Sequence, residues 1–200
     1  MLFFMRHFKL IIILFAFASC KGQDTLKEYK FPQVDWTLRI PVKSNFLDSA
    51  QFDTISKKAV NAINQTYEAD FSFNDVKSLF TIRQGQFNLI GSTINLFDTT
   101  LGITWEQSYA ASKQMIMQVI NEQAPAVKII DTLTSYELID GLRFEKLYLK
   151  TLYPDQKLTM NTYWFYRKQN KYDFSINISY TDESIGKQFL DLLRTSKFDK

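Results

Sequence analysis

Alternation of apolar and polar residues predicts strands near the start of the main domain and throughout its second half. Trp36, Leu38 and Ile40 alternate with polar residues and predict a first strand over residues 35–41. Further on, segments rich in β-branched and aromatic residues are separated by pairs typical of tight turns, such as Asp140-Gly141. The pattern predicts six more strands: residues 76–83, 86–97, 126–139, 142–153, 158–168 and 171–181.

Apolar residues at spacings of three and four predict three helices between and after these strands. Two of the helices cover residues 49–67 and 183–195. The third begins at Thr104, because Thr104 and Gln107 have the spacing of a capping box, and it ends at Pro125. The predicted order is β-α-ββ-α-ββββ-α. This is an α+β fold in which helices flank an antiparallel sheet of about six to seven strands, as an α/β/α sandwich.

The first twenty residues have a different pattern, which is typical of a secretory signal. Residues 1–9 contain two bases, Arg6 and Lys9, and no acid, and residues 10–18 are nine consecutive apolar residues. As a helix rising 1.5 Å per residue, this apolar run would be about 14 Å long, roughly half of what a bilayer requires. The sequence therefore predicts a cleaved signal peptide over residues 1–19.

Phe17-Ala18-Ser19-Cys20 resembles the lipobox of bacterial lipoproteins, in which small residues precede the modified cysteine. By this resemblance the Cys20 sulfur would be diacylated, Cys20 would become the N-terminus, and its acyl chains would hold the protein on a membrane. Residues 20–33 would then be a lipidated, polar tether, and residues 34–200 a single soluble domain. Lys21 favours the outer membrane of the cell envelope over the inner one. The alternative is an ordinary signal peptide with a chance cysteine.

The charge of the chain argues against a nucleic-acid partner. The sequence has 24 lysine and arginine residues and 21 acids, and two of the bases lie in the predicted signal peptide. Removing that peptide leaves 22 bases against 21 acids, a net charge of +1. A surface that follows a phosphate backbone needs clustered positive charge. We therefore predict no nucleic-acid partner.

Histidine and cysteine restrict the available chemistry most. His7 and Cys20 are the only residues of their types, and both lie in the first twenty residues. The remaining domain lacks the groups for Ser-His-Asp or Cys-His catalysis, for a histidine-ligated haem and for an ordinary zinc site. We predict no metal, no cofactor and no catalytic residue. Two hydrolase alternatives stay open: a Ser-Lys pair at Ser184 and Lys187, and paired carboxylates.

Two aromatic strands supply the candidate binding face. Lys146, Tyr148 and Lys150 share one face of their strand, and Trp164 and Tyr166 share one face of the next. If the two faces coincide and stay uncovered, aromatic rings would lie beside ammonium groups and suit a glycan, a peptide or an anionic ligand. The alternative is that a helix covers the aromatic rings while the lysine side chains extend past it to water.

The domain resembles the PsbP-like family in its opening Trp36-x-Leu-x-Ile-Pro41, its late aromatic strands and its closing Ser196-Lys-Phe198. The resemblance covers about residues 34–198 and implies an α/β/α sandwich with mostly non-catalytic accessory roles, as in photosystem II extrinsic subunits. It transfers no functional residue to a position in this chain. The predicted function is a lipid-anchored, non-catalytic accessory or binding protein of the cell envelope that engages another envelope protein. The alternatives are a small-ligand or glycan-binding lipoprotein, or a hydrolase.

Overall fold

A computed structural model describes residues 25–68 and 76–199, so the predicted signal peptide and Cys20 lie outside the described residues. Within those two ranges the chain forms nine strands and three helices. The helices are α1 (Ser49–Tyr67), α2 (Trp105–Gln123) and α3 (Glu183–Arg194). The strands are β1 (Leu26–Phe31), β2 (Trp36–Pro41), β3 (Lys77–Gln84), β4 (Asn88–Leu96), β5 (Lys128–Ile139), β6 (Leu142–Tyr153), β7 (Leu158–Gln169), β8 (Tyr172–Tyr180) and β9 (Lys197–Phe198).

The main sheet contains six antiparallel strands in the order β3-β4-β8-β7-β6-β5. Asp140 and Gly141 join β5 to β6 with φ angles of 50° and 80°. Positive φ at both central residues is the geometry of a two-residue hairpin turn that matches the twist of the strands, as the sequence predicts here. The β7–β8 turn begins at Asn170, one residue later than the gap at residues 169–170 between the two predicted strands.

A second, three-stranded sheet has the order β1-β2-β9, and it changes one predicted boundary. Leu26–Phe31, which we assigned to the tether, form strand β1 and pair antiparallel with the whole of β2. The strand escaped prediction because lysine and glutamate dominate its solvent side, while Phe31 on its other side packs 5.3 Å from the Trp36 ring. The predicted first strand, β2, belongs to this small sheet rather than to the main one.

The core lies between the main sheet and a second layer formed by the small sheet and α3. Trp36 of β2 is almost fully buried, and its ring lies 5.2 Å from that of Phe174 on β8. Phe189 and Leu193 of α3 belong to the same buried cluster. On β8 the predicted alternation is observed, with one side buried and the other side polar. We call the side of the main sheet that faces this core the inner face.

Helix α2 packs on the other, outer face of the main sheet, and helix α1 packs against α2. Helix α2 begins with the predicted capping box, in which Thr104 and Gln107 exchange hydrogen bonds of 2.8 and 3.3 Å. Helix α1 contacts α2, and the Tyr67 hydroxyl donates to Gln118 at 2.7 Å. The predicted α+β class, with an antiparallel sheet flanked by helices, is confirmed. Within the described part of the chain, no helix has the length and apolar character needed to cross a bilayer.

Candidate functional site

The five residues of the candidate binding face do not share one face of the sheet. Tyr148 of β6 pairs directly with Tyr163 of β7, and Leu147 pairs with Trp164. Because directly paired residues point to the same side of a sheet, Tyr148 and Trp164 lie on opposite faces. The register therefore divides the set, with Lys146, Tyr148 and Lys150 on the inner face and Trp164 and Tyr166 on the outer face.

Helix α2 covers the two aromatic residues on the outer face, as the alternative interpretation holds. The Trp105 ring stacks on Tyr166 at 5.6 Å with an interplanar angle of 8°, and Tyr109 stacks on Trp164 at 5.5 Å. Tyr166 is 5% exposed. Burial raises the pKa of its hydroxyl, and the nearby carboxylate of Asp173 raises it further. These rings attach α2 to the sheet and are not a free platform.

Two of the three inner-face residues, Lys146 and Tyr148, take part in a network of internal contacts beside α3. Glu137 of β5 accepts hydrogen bonds from Lys146 at 2.9 Å and from Arg194 of α3 at 2.7 Å. Burial raises the pKa of Glu137, but these two bonds outweigh it and hold the pKa below its ordinary value. The Tyr148 hydroxyl donates to Asn161 at 2.8 Å. Lys146 and Tyr148 are therefore already used to join β5, β6, β7 and α3.

Strand β5 forms one edge of the main sheet and exposes large apolar side chains. Among the described residues β5 pairs only with β6, so the backbone N–H and C=O groups along its other edge have no strand partner in the described part of the chain. In the β5–β6 pairing, Leu133 is the partner of Tyr148 and lies on the inner face. Leu138 is the partner of Arg143 and lies on the outer face. Four side chains of this strand, which we call the β5 edge, are each at least half exposed: Ile130, Leu133, Tyr136 and Leu138.

An open cleft of about 450 Å³ lies at one end of the outer face. The start of β6 and the end of β7 lie side by side here, because the two strands pair antiparallel. Helix α2 begins above these two segments, and the cleft lies between them and the helix. Three of its six lining residues are cations, two are carboxylates and one is aromatic. We call this site the cleft, and its lining residues are Trp105, Glu106, Arg143, Glu145, Arg167 and Lys168.

The three cations of the cleft have different partners. The Arg143 Nε donates to Glu145 at 2.8 Å, and its guanidinium lies 4.3 Å from the centre of the Tyr136 ring. Arg167 donates only to the backbone carbonyl oxygens of Arg143 and Lys168, both at 3.3 Å, and burial lowers its pKa. The Lys168 Nζ lies 4.5 Å from the centre of the Phe97 ring. Arg167 pairs with Phe174 of β8, so its side chain points to the inner face, and its guanidinium lies 5.3 Å from the centre of the buried Phe144 ring.

The geometry does not support either hydrolase alternative. Ser184 and Lys187 are exposed in the first turns of α3, where Asp182 accepts hydrogen bonds from the backbone N–H of Ser184. Glu106 and Glu145 are the carboxylates of the cleft, and a general acid there would need a raised pKa. Hydrogen bonds from its own backbone and from Thr104 lower the pKa of Glu106 instead. The described residues contain no group of three or more potential metal ligands among His, Cys, Asp and Glu.

The architecture places the chain in the class of α+β proteins with the PsbP fold. It resembles the solution structure of cyanobacterial PsbP (CyanoP) from Synechocystis sp. PCC 6803 at a TM-score of 0.54 and 11% identity, covering 92% of this chain and 99% of that one. A protein of unknown function from Pseudomonas aeruginosa aligns at a TM-score of 0.36 and 11% identity, over 85% of this chain and 94% of that one. No family model and no curated protein matches the sequence.

Proposed function

We propose that this chain is a non-catalytic accessory protein of the cell envelope, held on a membrane by lipid at Cys20, that docks onto another envelope protein through the β5 edge. The observation that carries this proposal is the exposed apolar strand at the edge of the main sheet. Leu133 and Leu138 are 57% and 63% exposed on opposite faces of β5. A free edge of this kind is a template for an added strand from a partner.

The side chains of the β5 edge suit such an added strand. Backbone groups would supply the hydrogen bonds of a seventh strand, and apolar side chains on both faces would add contact area to each side of the new pair. Sheet edges that serve no partner are usually protected by charge, proline or a covering element. Between Thr132 and Leu138, β5 has only one charged residue, Glu137, and its carboxylate is held by Lys146 and Arg194.

Two further observations support the accessory role. The fold resembles PsbP, and the PsbP-like resemblance of the sequence implies accessory rather than catalytic work. The leader carries the lipobox-like Phe17-Ala18-Ser19-Cys20, which supports membrane attachment in the cell envelope, on the outer membrane rather than the inner one. Strand β1 begins only six positions after Cys20, at Leu26, so the domain would lie within about 20 Å of its anchor.

The test is capture of the full-length, lipidated protein from its own membranes, followed by mass spectrometry. Leu133→Lys places an unpaired charge in the proposed strand interface and should lower recovery of a stoichiometric partner by about tenfold or more. Ile55→Lys is the matched control, because Ile55 is an exposed apolar residue on α1 and lies outside the β5 edge. Equal recovery with both variants, or no stoichiometric partner at all, would contradict the docking proposal.

Membrane attachment is tested separately from docking. Cys20→Ser removes the sulfur that the acyl chains require, so the protein should leave the membrane fraction when cells are fractionated. Mass spectrometry of the wild-type N-terminal peptide should show the mass of the acyl chains on Cys20. A wild-type protein that is unacylated and absent from membranes would contradict this part of the proposal.

A further inference from the structure

The end of the small sheet where β1 begins exposes two large apolar side chains. Leu26 is the first residue of β1 and is 55% exposed, and Val42, which follows β2, is 56% exposed. The Val42 N–H donates to the carbonyl oxygen of Thr25 at 2.9 Å, so both side chains belong to the same end of the sheet. The Ser44 N–H donates to the Pro41 carbonyl oxygen at 2.9 Å, which makes Val42 a central residue of a turn.

Each of these apolar residues is followed in the chain by an exposed lysine, Lys27 or Lys43. The next carboxylate along β1 is Glu28, and its oxygens already lie 3.7 Å from a charged nitrogen of Lys30 and of Arg39. Exposed apolar side chains beside lysines suit the surface of a bilayer. The apolar groups enter the boundary between headgroups and acyl chains, while the ammonium groups stay at the phosphates.

The chain that leads to the predicted anchor leaves the domain at this same end. Leu26 is six positions after Cys20, so even an extended chain keeps this end within about 20 Å of the bilayer. Lys21 and Asp24 are the charged residues between them, and their charges offset each other. Two apolar side chains and two lysines are too few for stable membrane binding on their own. A short tether raises the effective concentration of the bilayer to about the millimolar range, so even a weak contact is occupied.

We propose that this end of the small sheet rests on the bilayer that holds Cys20, with its apolar side chains among the lipid headgroups. We call it the β1–β2 tip, and it is formed by Leu26, Lys27, Val42 and Lys43. Consecutive residues of β1 point to opposite sides of the strand, so the end of the sheet, rather than one of its faces, meets the lipid. This inference rests on the lipid anchor of the proposed function and goes beyond it by defining how the domain lies on the membrane.

This orientation leaves the β5 edge free for its partner. Phe31 of β1 stacks on Phe80 of β3 at 5.6 Å, so β1 lies over that side of the main sheet. Strands β3 and β5 are the two opposite edges of the main sheet. They are separated by five strand spacings, or about 24 Å at roughly 4.8 Å each.

The experiment measures contact between lipid and a fluorophore placed on the β1–β2 tip. The full-length, lipidated protein carries Val42→Cys or Leu26→Cys, and only the new thiol is labelled because acyl chains block the Cys20 sulfur. It is reconstituted in vesicles of phosphatidylcholine and phosphatidylglycerol that contain lipid spin-labelled near the acyl carbonyl. Quenching at both positions should exceed quenching at Leu138→Cys by at least about threefold. Leu138 is the matched control, because it is an apolar residue of the β5 edge and is 63% exposed.

Further variants test whether the side chains of the tip cause the contact. With the fluorophore at position 26, Val42→Asp should lower quenching at least about twofold, whereas Leu133→Asp, which places the same charge on the β5 edge, should leave it unchanged. Mass spectrometry of the N-terminal peptide establishes acylation before each measurement. An unacylated Cys20 would overturn both the anchor and this inference. Acylated protein that is quenched equally at positions 42 and 138, or that responds equally to the two aspartate variants, would overturn this inference alone.

Discussion

Replacing Gly186 with alanine should destabilise the protein, although alanine is ordinarily the better helix residue. Gly186 lies in α3 and is buried against the ring of Tyr180, the last residue of β8. A Cβ atom built on Gly186 would lie 2.5 to 2.6 Å from three carbon atoms of that ring. Carbon atoms in van der Waals contact are about 3.5–4.0 Å apart, so helix or ring must move by about 1 Å.

Two opposing effects set the size of the change. Helix propensity favours alanine over glycine by about 1 kcal/mol in the free energy of unfolding. Overpacking a filled core costs about 1–3 kcal/mol, and here the clashing group is a ring rather than the flexible end of a side chain. Tyr180 is 5% exposed and its ring stacks on Tyr163 at 6.3 Å, so it cannot turn away into solvent. We expect a net loss of about 1–2 kcal/mol.

The assay is urea unfolding followed by circular dichroism, with Gly186→Ala compared with wild type and with Gln188→Ala. Gln188 is exposed on the same helix, so its variant reports propensity without a clash and should change stability by less than about 0.5 kcal/mol. In the double variant Gly186→Ala with Tyr180→Val, the ring is absent and the clash should disappear. The free energy of unfolding of this double variant should therefore exceed that of Tyr180→Val alone. If Gly186→Ala is as stable as wild type in the otherwise native protein, the packing argument is wrong.

Three further outcomes are expected in unfolding experiments. Thr104→Ala removes the acceptor of the α2 capping box and should cost about 1 kcal/mol, whereas an unchanged midpoint would show that the cap adds nothing. The pKa of Glu137 is lowered in the folded state, so ionised Glu137 stabilises the folded protein above the ordinary glutamate pKa of about 4.3, and this stabilisation is lost as pH falls through the folded value. Glu137→Gln should abolish this pH dependence of the free energy of unfolding. A pH profile identical to that of wild type would contradict the assignment. Burial raises the pKa of Asp173, so wild-type stability should fall as pH rises from about 3.9 through that raised value. Asp173→Asn should be more stable than wild type at neutral pH and should lose this advantage in acid; a constant difference would contradict the assignment.

Local chemistry was sufficient to predict most of the elements. The capping residues Thr104 and Gln107 determine where α2 starts, and the pair Asp140-Gly141 determines the β5–β6 turn. Each signal involves residues within a stretch of four, so it can be recognised in the sequence without knowing the tertiary structure. Strand β9 could not be predicted, because two residues have no periodicity and pair only after β2 is in place. Strand β1, at residues 26–31 of the predicted tether, was not predicted for a related reason, since it becomes recognisable as a strand only from its pairing with β2.

The site was harder to predict because it depends on register. A one-residue change in the pairing of β6 and β7 moves every side chain of a strand to the other face, and periodicity within a strand does not fix that pairing. Tyr148 and Trp164 were therefore grouped although the register separates them. The cleft residues were missed, yet one signal was present. Arg143 lies near the start of β6 and Lys168 near the end of β7, and these two strand ends come together when the consecutive strands pair antiparallel.

The small sheet has a consequence for the timing of folding. Its central strand, β2, pairs with β9 at positions 36 and 198, which are 162 residues apart in the chain (198 − 36). Phe198 is buried, and its ring stacks on Trp36 at 6.0 Å, so one side of the core closes only when Phe198 is in place. Contacts between such distant residues form slowly, since a long loop must close before they contribute. A nascent chain cannot complete this sheet before residue 198 has left the ribosome, so the native state should be reached only after that point.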